Sequence, residues 1–427
     1  MTKLRTAARR QAQDAWILMR DIGARTADGI GITRAAFGPG ENVAAEQVTL
    51  FAKRKGLDVQ ADRFGNLHIT VPGDDSARPA VAAGSHLDSV PHGGNYDGLA
   101  GVVSALAVLA AAREDGIRLP RPLRAIAMRG EESPWFGTAY VGSRLMLGRS
   151  TLDEIGGLVH SVSGRTLSDH LAELGTSDKG ASGPVLSPAD LACFLELHIE
   201  QGPLLESEGL PLGIASAIRG NVRFPEARCF GEYAHSAAVP RSHRRDVVIA
   251  LSELVLEFDH FWAGLAERGD DNFVVTIGKV STDPEHHAMT KVPGEVRFSV
   301  NFGATSGASL DATRAVLEGA VHDISQRRGV RFDLGREFGT APVALDPGLI
   351  RIAEQSAEAA GVPLRRMPTV GHDAAMFALS GIPAAVLLMR NAHGSHNPRE
   401  TMAEDDFVAG VAVLAGAMER AAQRAVD

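Results

Sequence analysis

Five side chains that could hold metal ions, and a sixth that could move a proton, sit in four separated stretches of the sequence. His86 and Asp88 lie in GSHLDSVPHGGNYDG, which also carries Asp97. Glu131 and Glu132 lie in MRGEESPWFG, His198 in ELHIEQGP, and His396 in AHGSHNPRE. Three imidazoles with carboxylates are the donor set favoured by zinc and similar borderline cations. A carboxylate shared between two cations about 3.5–4 Å apart is the core of a two-metal hydrolase. Asp97 suits that place, because the flexible Gly93–Gly94 loop can turn it back toward His86. Two adjacent glutamates repel each other. A dication relieves the repulsion by taking one as a ligand, and the other is left as a general base for water. Asp88, two residues from His86, is placed to accept the second ring N–H of that histidine. Each cluster alone has an ordinary reading: a histidine at a strand end is usually structural, and Asp-Gly is a common turn. Their coincidence is what points to metal chemistry.

The coincidence lies in the elements that carry them. Apolar runs at 79–86, 123–130, 191–199 and 383–389 read as buried strands, short and bounded by turn residues. The Ala/Leu/Val-rich run 99–115, closed by Gly116, reads as a buried helix between the first two. Strand, helix and strand with tight connections make a βαβ unit of a mostly parallel sheet. Every donor cluster falls at or just beyond the carboxyl end of a strand, where open α/β sheets bind ligands. The stretch 213–335 has another texture. Alternating segments NVRFPEARCFG and GEVRFSVNFG accompany two helical runs, RRDVVIALSELVLEFDHFWAGLAE and ASLDATRAVLEGAVHDISQRRG. The expected fold is therefore α/β, with a mostly parallel-sheet catalytic domain (1–212 and 336–427) and an inserted α+β domain (213–335).

Composition excludes other classes. The 427-residue chain carries a formal net charge of −9 with no basic stripe, and only three Trp and three Tyr, so no nucleic acid and no membrane surface is an expected partner. Cys193 and Cys229 make neither a disulfide framework nor a CxxC metal site. The N-terminal segment reads as an amphipathic helix rather than a secretion signal, and no run is long enough to span a membrane, so a cytoplasmic location is expected.

At these residues the sequence resembles the M20 metallopeptidase superfamily, and within it the N-carbamoyl-L-amino-acid hydrolase, allantoate amidohydrolase and β-ureidopropionase branch. GSHLDSVPHGGNYDG, EESPWFG, ELHIEQGPLLE, GEYAHSAAVP, PGEVRF, GHDAAMF and SHNPRE occur in the family's order over nearly the whole chain. The resemblance implies one metal bound by His86, Asp97 and His198, and a second by Asp97, Glu132 and His396, with Asp97 bridging. It makes Glu131 the general base that deprotonates a metal-bridging water. It makes Gln201 a substrate contact and His235 a catalytic, substrate-binding histidine supplied by the inserted domain, often across a dimer interface. His372 falls in another segment near the active site, and a homodimer through the inserted lid domain is implied. The metals would be zinc, with manganese, cobalt or nickel as alternatives.

Two departures bear on the substrate. Thr290 stands where the family usually has asparagine, and Gly303 where it has an arginine that clamps the substrate carboxylate. A neutral residue does not replace bidentate recognition. Either the substrate lacks that carboxylate, or another cation such as Arg219, Arg223 or Arg390 holds it. The expected activity is hydrolysis of a linear C–N bond in a small ureido or amide substrate. The alternatives are an M20 dipeptidase or N-acyl-amino-acid deacylase, and a catalytically silent binding protein on the same fold. The remaining histidines read as bystanders: His286 and His287 in a solvated loop without an acidic partner, His92 in the metal loop, and His160, His170 and His243 with no constellation around them.

Overall fold

The four short apolar runs become neighbours in one sheet. The computed structural model describes residues 3–73, 78–175, 183–270 and 272–424. The chain divides into two compact units: Met1–Ser216, Leu345–Met367 and His372–Asp427 form the first, Ala217–Ala344 and Pro368–Gly371 the second. The insertion was expected at 213–335. The division falls later, within strand β6 (Leu212–Ile218), whose last two residues pair with Val343–Ala344 of the same unit.

In the first unit the strands are β1 (Asp58–Ala61), β2 (Leu67–Thr70), β3 (Ala80–His86), β4 (Leu123–Met128), β5 (Leu191–Ile199), Ala384–Met389 and β6. Their order across the sheet is β1-β2-β4-β3-β5, then Ala384–Met389, then β6. β3 pairs in parallel with both β4 and β5, and β5 in parallel with Ala384–Met389. The outer strands β1, β2 and β6 run antiparallel to their neighbours. β3 and Ala384–Met389 are buried along their whole length, as strands covered on both faces must be.

Helix α3 (Leu99–Glu114) is apolar on every side and correspondingly buried on every side. It packs on β3 and β4, on α1 (Lys3–Thr26) and on the helix Glu404–Gln423. The N-terminal amphipathic run is thus a docked helix, with Leu4, Ala8, Ala15 and Ile22 buried. α2 (Pro39–Arg54) follows it, with proline in its first turn, where the missing N–H costs nothing. Among the described residues no helix is long and apolar enough to cross a membrane.

The second unit is built on Gly220–Phe230 paired antiparallel with Glu295–Ala304, flanked by short strands. Val222 and Phe224 on one strand, and Val296, Phe298, Val300 and Phe302 on the other, point into one core. The helices Val247–Glu267 and Gly307–Arg328 cover that face with Leu254, Phe258, Leu317 and Ile324. The register shifts between Phe298 and Val300, so Pro225 and Glu226 lie opposite a single residue. A proline has no N–H for the ladder, and a bulge is where a strand tolerates one.

Candidate metal centre

Strand ends and one helix start bring the donors together. His86 is the last residue of β3, His198 the penultimate residue of β5, Glu131 and Glu132 follow β4, and His396 follows Ala384–Met389. Asp97 lies two residues before α3. Two sets of donor atoms, His86–Asp97–His198 and Asp97–Glu132–His396, each gather within 4.8 Å. Asp97 belongs to both. Its Oδ1 stands 3.4 Å from His86 Nε2 and 3.1 Å from His198 Nε2. Its Oδ2 stands 3.5 Å from His396 Nε2, which is in turn 3.4 Å from Glu132 Oε1.

The ring geometry fits a cation. Nδ1 of His86 faces the Asp88 carbonyl at 3.1 Å, and Nδ1 of His198 faces the Ile199 carbonyl at 2.9 Å. A carbonyl only accepts, so both Nδ1 atoms carry the proton and both Nε2 atoms present lone pairs. Those Nε2 atoms lie 3.4 Å apart, and both face the Asp97 carboxylate. The Gly98 N–H also donates to His198 Nε2 at 3.1 Å, and the two ring nitrogens with the Asp97 carboxylate form a donor set suited to a cation.

The titration behaviour follows from the same crowding. Burial works against ionisation of Asp97, yet His198, His396 and His86 around it hold its pKa well below the usual carboxylate value. Burial pushes Glu131 well above its ordinary value, opposed by His86 and reinforced by Glu132. Burial also raises Glu132. His396, hydrogen-bonded by Asp97 and Glu132, is raised to about 11.

Two glycines permit this packing. The metal-loop glycine Gly94 gives room rather than flexibility, because a Cβ there would lie 2.2 Å from the Glu400 carboxyl carbon. Gly98 has φ +67°, and a Cβ there would lie 2.4 Å from the His86 ring. Asp-Gly is therefore required twice over, by backbone conformation and by the imidazole stacked on it.

Several residues act differently from their sequence reading. Asp88 was expected to hold the His86 ring through its carboxylate. The ring nitrogen meets both the Asp88 backbone oxygen at 3.1 Å and the carboxylate at 3.4 Å. The two carboxylate oxygens accept the backbone N–H groups of Glu131 and Glu132, each at 3.0 Å. Arg390 is committed within the fold, its guanidinium paired with both oxygens of Asp406 at 2.8 and 2.9 Å. His372 is buried, with its ring centroid 4.4 Å from that of His198. Burial and the neighbouring His198 hold it well below the usual histidine value, as a neutral ring.

Gln201 adopts φ +65° and donates from Nε2 to Asp97 Oδ2 at 2.8 Å, while its Oε1 is buried without a hydrogen-bond partner. In the second unit His235 lies in an exposed turn, paired with Lys291 in a two-stranded ladder. Its Nδ1 accepts the Ala237 N–H at 3.2 Å, and the Ser236 N–H donates to the Thr290 carbonyl at 3.0 Å. Arg244 staples the same turn, with Nε donating to the Val239 carbonyl at 2.9 Å. Arg219 donates from Nε to the Asn272 carbonyl at 2.9 Å, and Arg223 from Nε to Asn301 Oδ1 at 3.2 Å.

The bystander histidines have partners that spacing alone did not reveal, among them Asp28, whose carboxylate stands 2.8 Å from His92 Nδ1. His286 pairs with Asp283 at 2.8 Å, three residues back, which corrects the expectation of no acidic partner. His160 stacks on Trp135 with centroids 5.5 Å apart and lies 5.1 Å from His170, a cluster the sequence did not suggest.

Sequence reasoning gave no role to Arg34, Glu400 or Ser395. Arg34 is fully buried and donates to the Leu87 carbonyl at 2.8 Å and to Asn95 Oδ1 at 3.0 Å. It thus ties the segment after His86 to the segment before Asp97. Burial lowers its pKa to about 10, so it remains a cation among Glu400, Asp88, Asp97 and Glu132. Glu400 accepts the Tyr96 N–H at 2.8 Å, and the Ser395 hydroxyl lies 2.6 Å from Glu400 and 2.5 Å from Asp97. Burial and the adjacent Asp97 charge push Glu400 up to about 7. Glu400 was visible in SHNPRE, but nothing in its spacing separated it from an exposed charge.

A sheet with buried His, Asp and Glu converging at its carboxyl edge defines a metal-dependent hydrolase of the α/β class. The comparisons say which. Peptidase family M20/M25/M40 matches residues 82–420, and the chain belongs to that family. It is 30% identical over 415 residues to an N-carbamoyl-L-amino-acid amidohydrolase of Paenarthrobacter aurescens, covering 97% of this chain and 99% of that one. It is 30% identical over 388 residues to an allantoate amidohydrolase of Escherichia coli K12, covering 90% and 92%. A solved hydantoinase/carbamoylase-family amidase from Burkholderia multivorans superposes with a TM-score of 0.87 at 28% identity, covering 97% and 98%. The chain is thus an enzyme, a hydrolase of the amidohydrolase type that acts on C–N bonds outside peptides.

Proposed function

We propose that the protein hydrolyses a linear C–N bond in a small N-carbamoyl (ureido) or amide substrate at a two-metal centre. The observation that carries the reading is Asp97, whose two oxygens face two different donor sets. His86, Asp97 and His198 would hold one cation, and Asp97, Glu132 and His396 the other. Divalent ions bound there, zinc first and manganese, cobalt or nickel as alternatives, supply Lewis acidity at the carbonyl and acidify water.

The chain's own groups do the rest. Glu131 accepts a proton from the attacking water and returns it to the departing nitrogen as the C–N bond breaks. A buried carboxyl with a raised pKa suits both halves of that exchange. The unpartnered Oε1 of Gln201 is an acceptor for a substrate N–H. His235 donates to the carbonyl oxygen as it gains negative charge. From a carbamoyl substrate the products are the free amine, ammonia and carbon dioxide.

Geometry also supports a carboxylate anchor moved from position 303 to Arg219. A Cβ at Gly303 would sit 3.0 Å from the Gly220 carbonyl, 3.2 Å from Val274 and 4.0 Å from Arg219 Cδ. The stem of Arg219 thus runs beside the place a side chain at 303 would leave from. The helix Val247–Glu267 exposes Val248, Val255 and Trp262 at seven-residue spacing, with Ile249 and Leu256 beside them. That stripe supports a homodimer through the inserted unit, and Val255→Glu with Leu256→Glu would then leave a monomer by light scattering. Cys193 and Cys229 are both buried free thiols, in keeping with a cytoplasmic place.

Metal analysis combined with ammonia release from a panel of N-carbamoyl amino acids, their carboxamides, allantoate-like ureides, N-acyl amino acids and dipeptides tests the reading. Two equivalents of metal and turnover confined to ureido or amide compounds are expected. Preferred cleavage of dipeptides, or full turnover without metal, would overturn it.

A further inference from the structure

A buried carboxylate that the reaction does not use stands behind Glu131. Glu41, in the first turn of α2, is fully shielded from solvent. Its Oε1 accepts the Gly130 N–H at 2.9 Å, and its Oε2 accepts the Phe37 N–H at 2.6 Å. Asp88 accepts the next two N–H groups, those of Glu131 and Glu132. β4 has already ended at Met128; beyond it the carbonyls of Gly130 and Glu131 accept the Val141 and Tyr140 N–H groups at 2.8 and 2.9 Å, while the N–H groups of 130–132 turn the other way. Three successive backbone donors therefore end on two carboxylates brought from elsewhere in the chain.

The position of Glu41 is demanding. Gly130 has φ +62° and Phe37 φ +55°, both left-handed, and a Cβ on Gly130 would lie 2.7 Å from the Phe37 ring. One carboxylate thus clamps two unusual turns against each other. The Arg129 guanidinium lies 3.4 Å from Glu41 Oε2 and offsets the buried charge. With each of its two oxygens accepting one N–H, Glu41 makes both bonds as a carboxylate, whereas a side-chain amide has one oxygen and turns a donor toward the other amide.

We propose that Glu41 is a positioning residue for the general base: by bridging the Phe37 and Gly130 amides it sets the direction in which Glu131 leaves the sheet. This rests on Glu131 being the base. A glutamine at 41 keeps the volume but turns one acceptor into a donor that faces an N–H. An aspartate keeps the charge but is one methylene too short to reach both amides.

The test uses the full-length, metal-loaded protein with E41Q, E41D and E131Q, measured for kcat, KM and metal content on the best ureido substrate. Hydrogen exchange of the segment 129–134 is followed in metal-free protein. Misplacement of a catalytic group by about 1 Å costs on the order of 100-fold in rate. The expected result for E41Q and E41D is therefore a kcat lowered roughly 10- to 100-fold, with KM and metal content close to wild type and faster exchange confined to that segment. A kcat per folded, metal-loaded molecule equal to wild type would overturn the proposal, even if the melting temperature fell, because Glu41 would then be structural only. Should neither variant fold, wild-type exchange decides: amides 130–132 exchanging as fast as the exposed loop at 284–289 would refute the anchoring. E131Q keeping wild-type kcat would instead remove the base itself, a different failure from that of Glu41.

Discussion

Apart from His396, whose side chain is 51% exposed, the two units hold their candidate functional groups in opposite settings. In the first, His86, Asp97 and His198 are 2%, 3% and 1% exposed, and a second layer (Asp88, Arg34, Glu400) fixes them through backbone amides and carbonyls. In the second, His235 lies in an exposed turn held by a two-residue ladder and the Arg244 staple. Buried charges interact strongly because little water screens them, so their arrangement must be built before anything binds. An exposed histidine carries no such cost. The difference teaches that the candidate metal centre is an electrostatic structure, whereas the His235 turn is held by local backbone and Arg244 hydrogen bonds.

The largest effect should come from breaking the buried side. Glu131→Gln is expected to lower kcat by roughly 100- to 10,000-fold, the usual range for a lost general base, with metal content unchanged. Its pH profile sharpens the point. Glu131 must be unprotonated to accept a proton, and burial raises its pKa, so wild-type kcat falls as pH drops through a limb above the ordinary carboxylate range. Steady-state rates between pH 5 and 9 check this, and a rate flat toward acid would contradict it.

Next, His235→Ala is expected to cost about 100- to 1,000-fold in kcat, as for a lost oxyanion donor, while melting temperature and metal content stay put. A large fall in thermal stability would erase the distinction between the two settings. Arg219→Ala should lower kcat/KM for carboxylate-bearing substrates by roughly 10- to 100-fold, the worth of a charge-assisted hydrogen bond, and leave matched carboxamides unaffected. Equal losses on both substrates would move the anchor elsewhere. The smallest effect is His286→Ala. Its exposed pair with Asp283 is screened by water, so the urea-unfolding midpoint should stay close to wild type.

Much of this was legible in the sequence, because strands and metal donors announce themselves locally. A run such as PAVAAGSH gives both the buried strand and the histidine at its end. The supporting shell was not legible. Arg34, Glu41 and Glu400 look like any surface charge in sequence. Only the fold shows that each is buried and which amides it serves. Asp88 was read as a partner of His86, and its carboxylate stands 3.4 Å from that ring, but two-residue spacing says nothing about the arrival of residues 131 and 132, whose amides it also accepts. Gly94 was read as a hinge when its reason is the carboxyl group packed where a side chain would be. The parallel interior of the sheet followed from uniform apolar runs, while β1 and β2 went unread because each is four residues long and partly exposed.

What the sequence determined by itself was a set of candidate donor residues and the strands that end at them, since hydrophobic runs and residue types are local properties. Only the tertiary structure decided that Asp97 faces two donor sets, and that Glu41 and Asp88 carry the backbone beneath Glu131. The reason is that a hydrogen bond between residues 41 and 130 depends on chain packing, which no local pattern encodes.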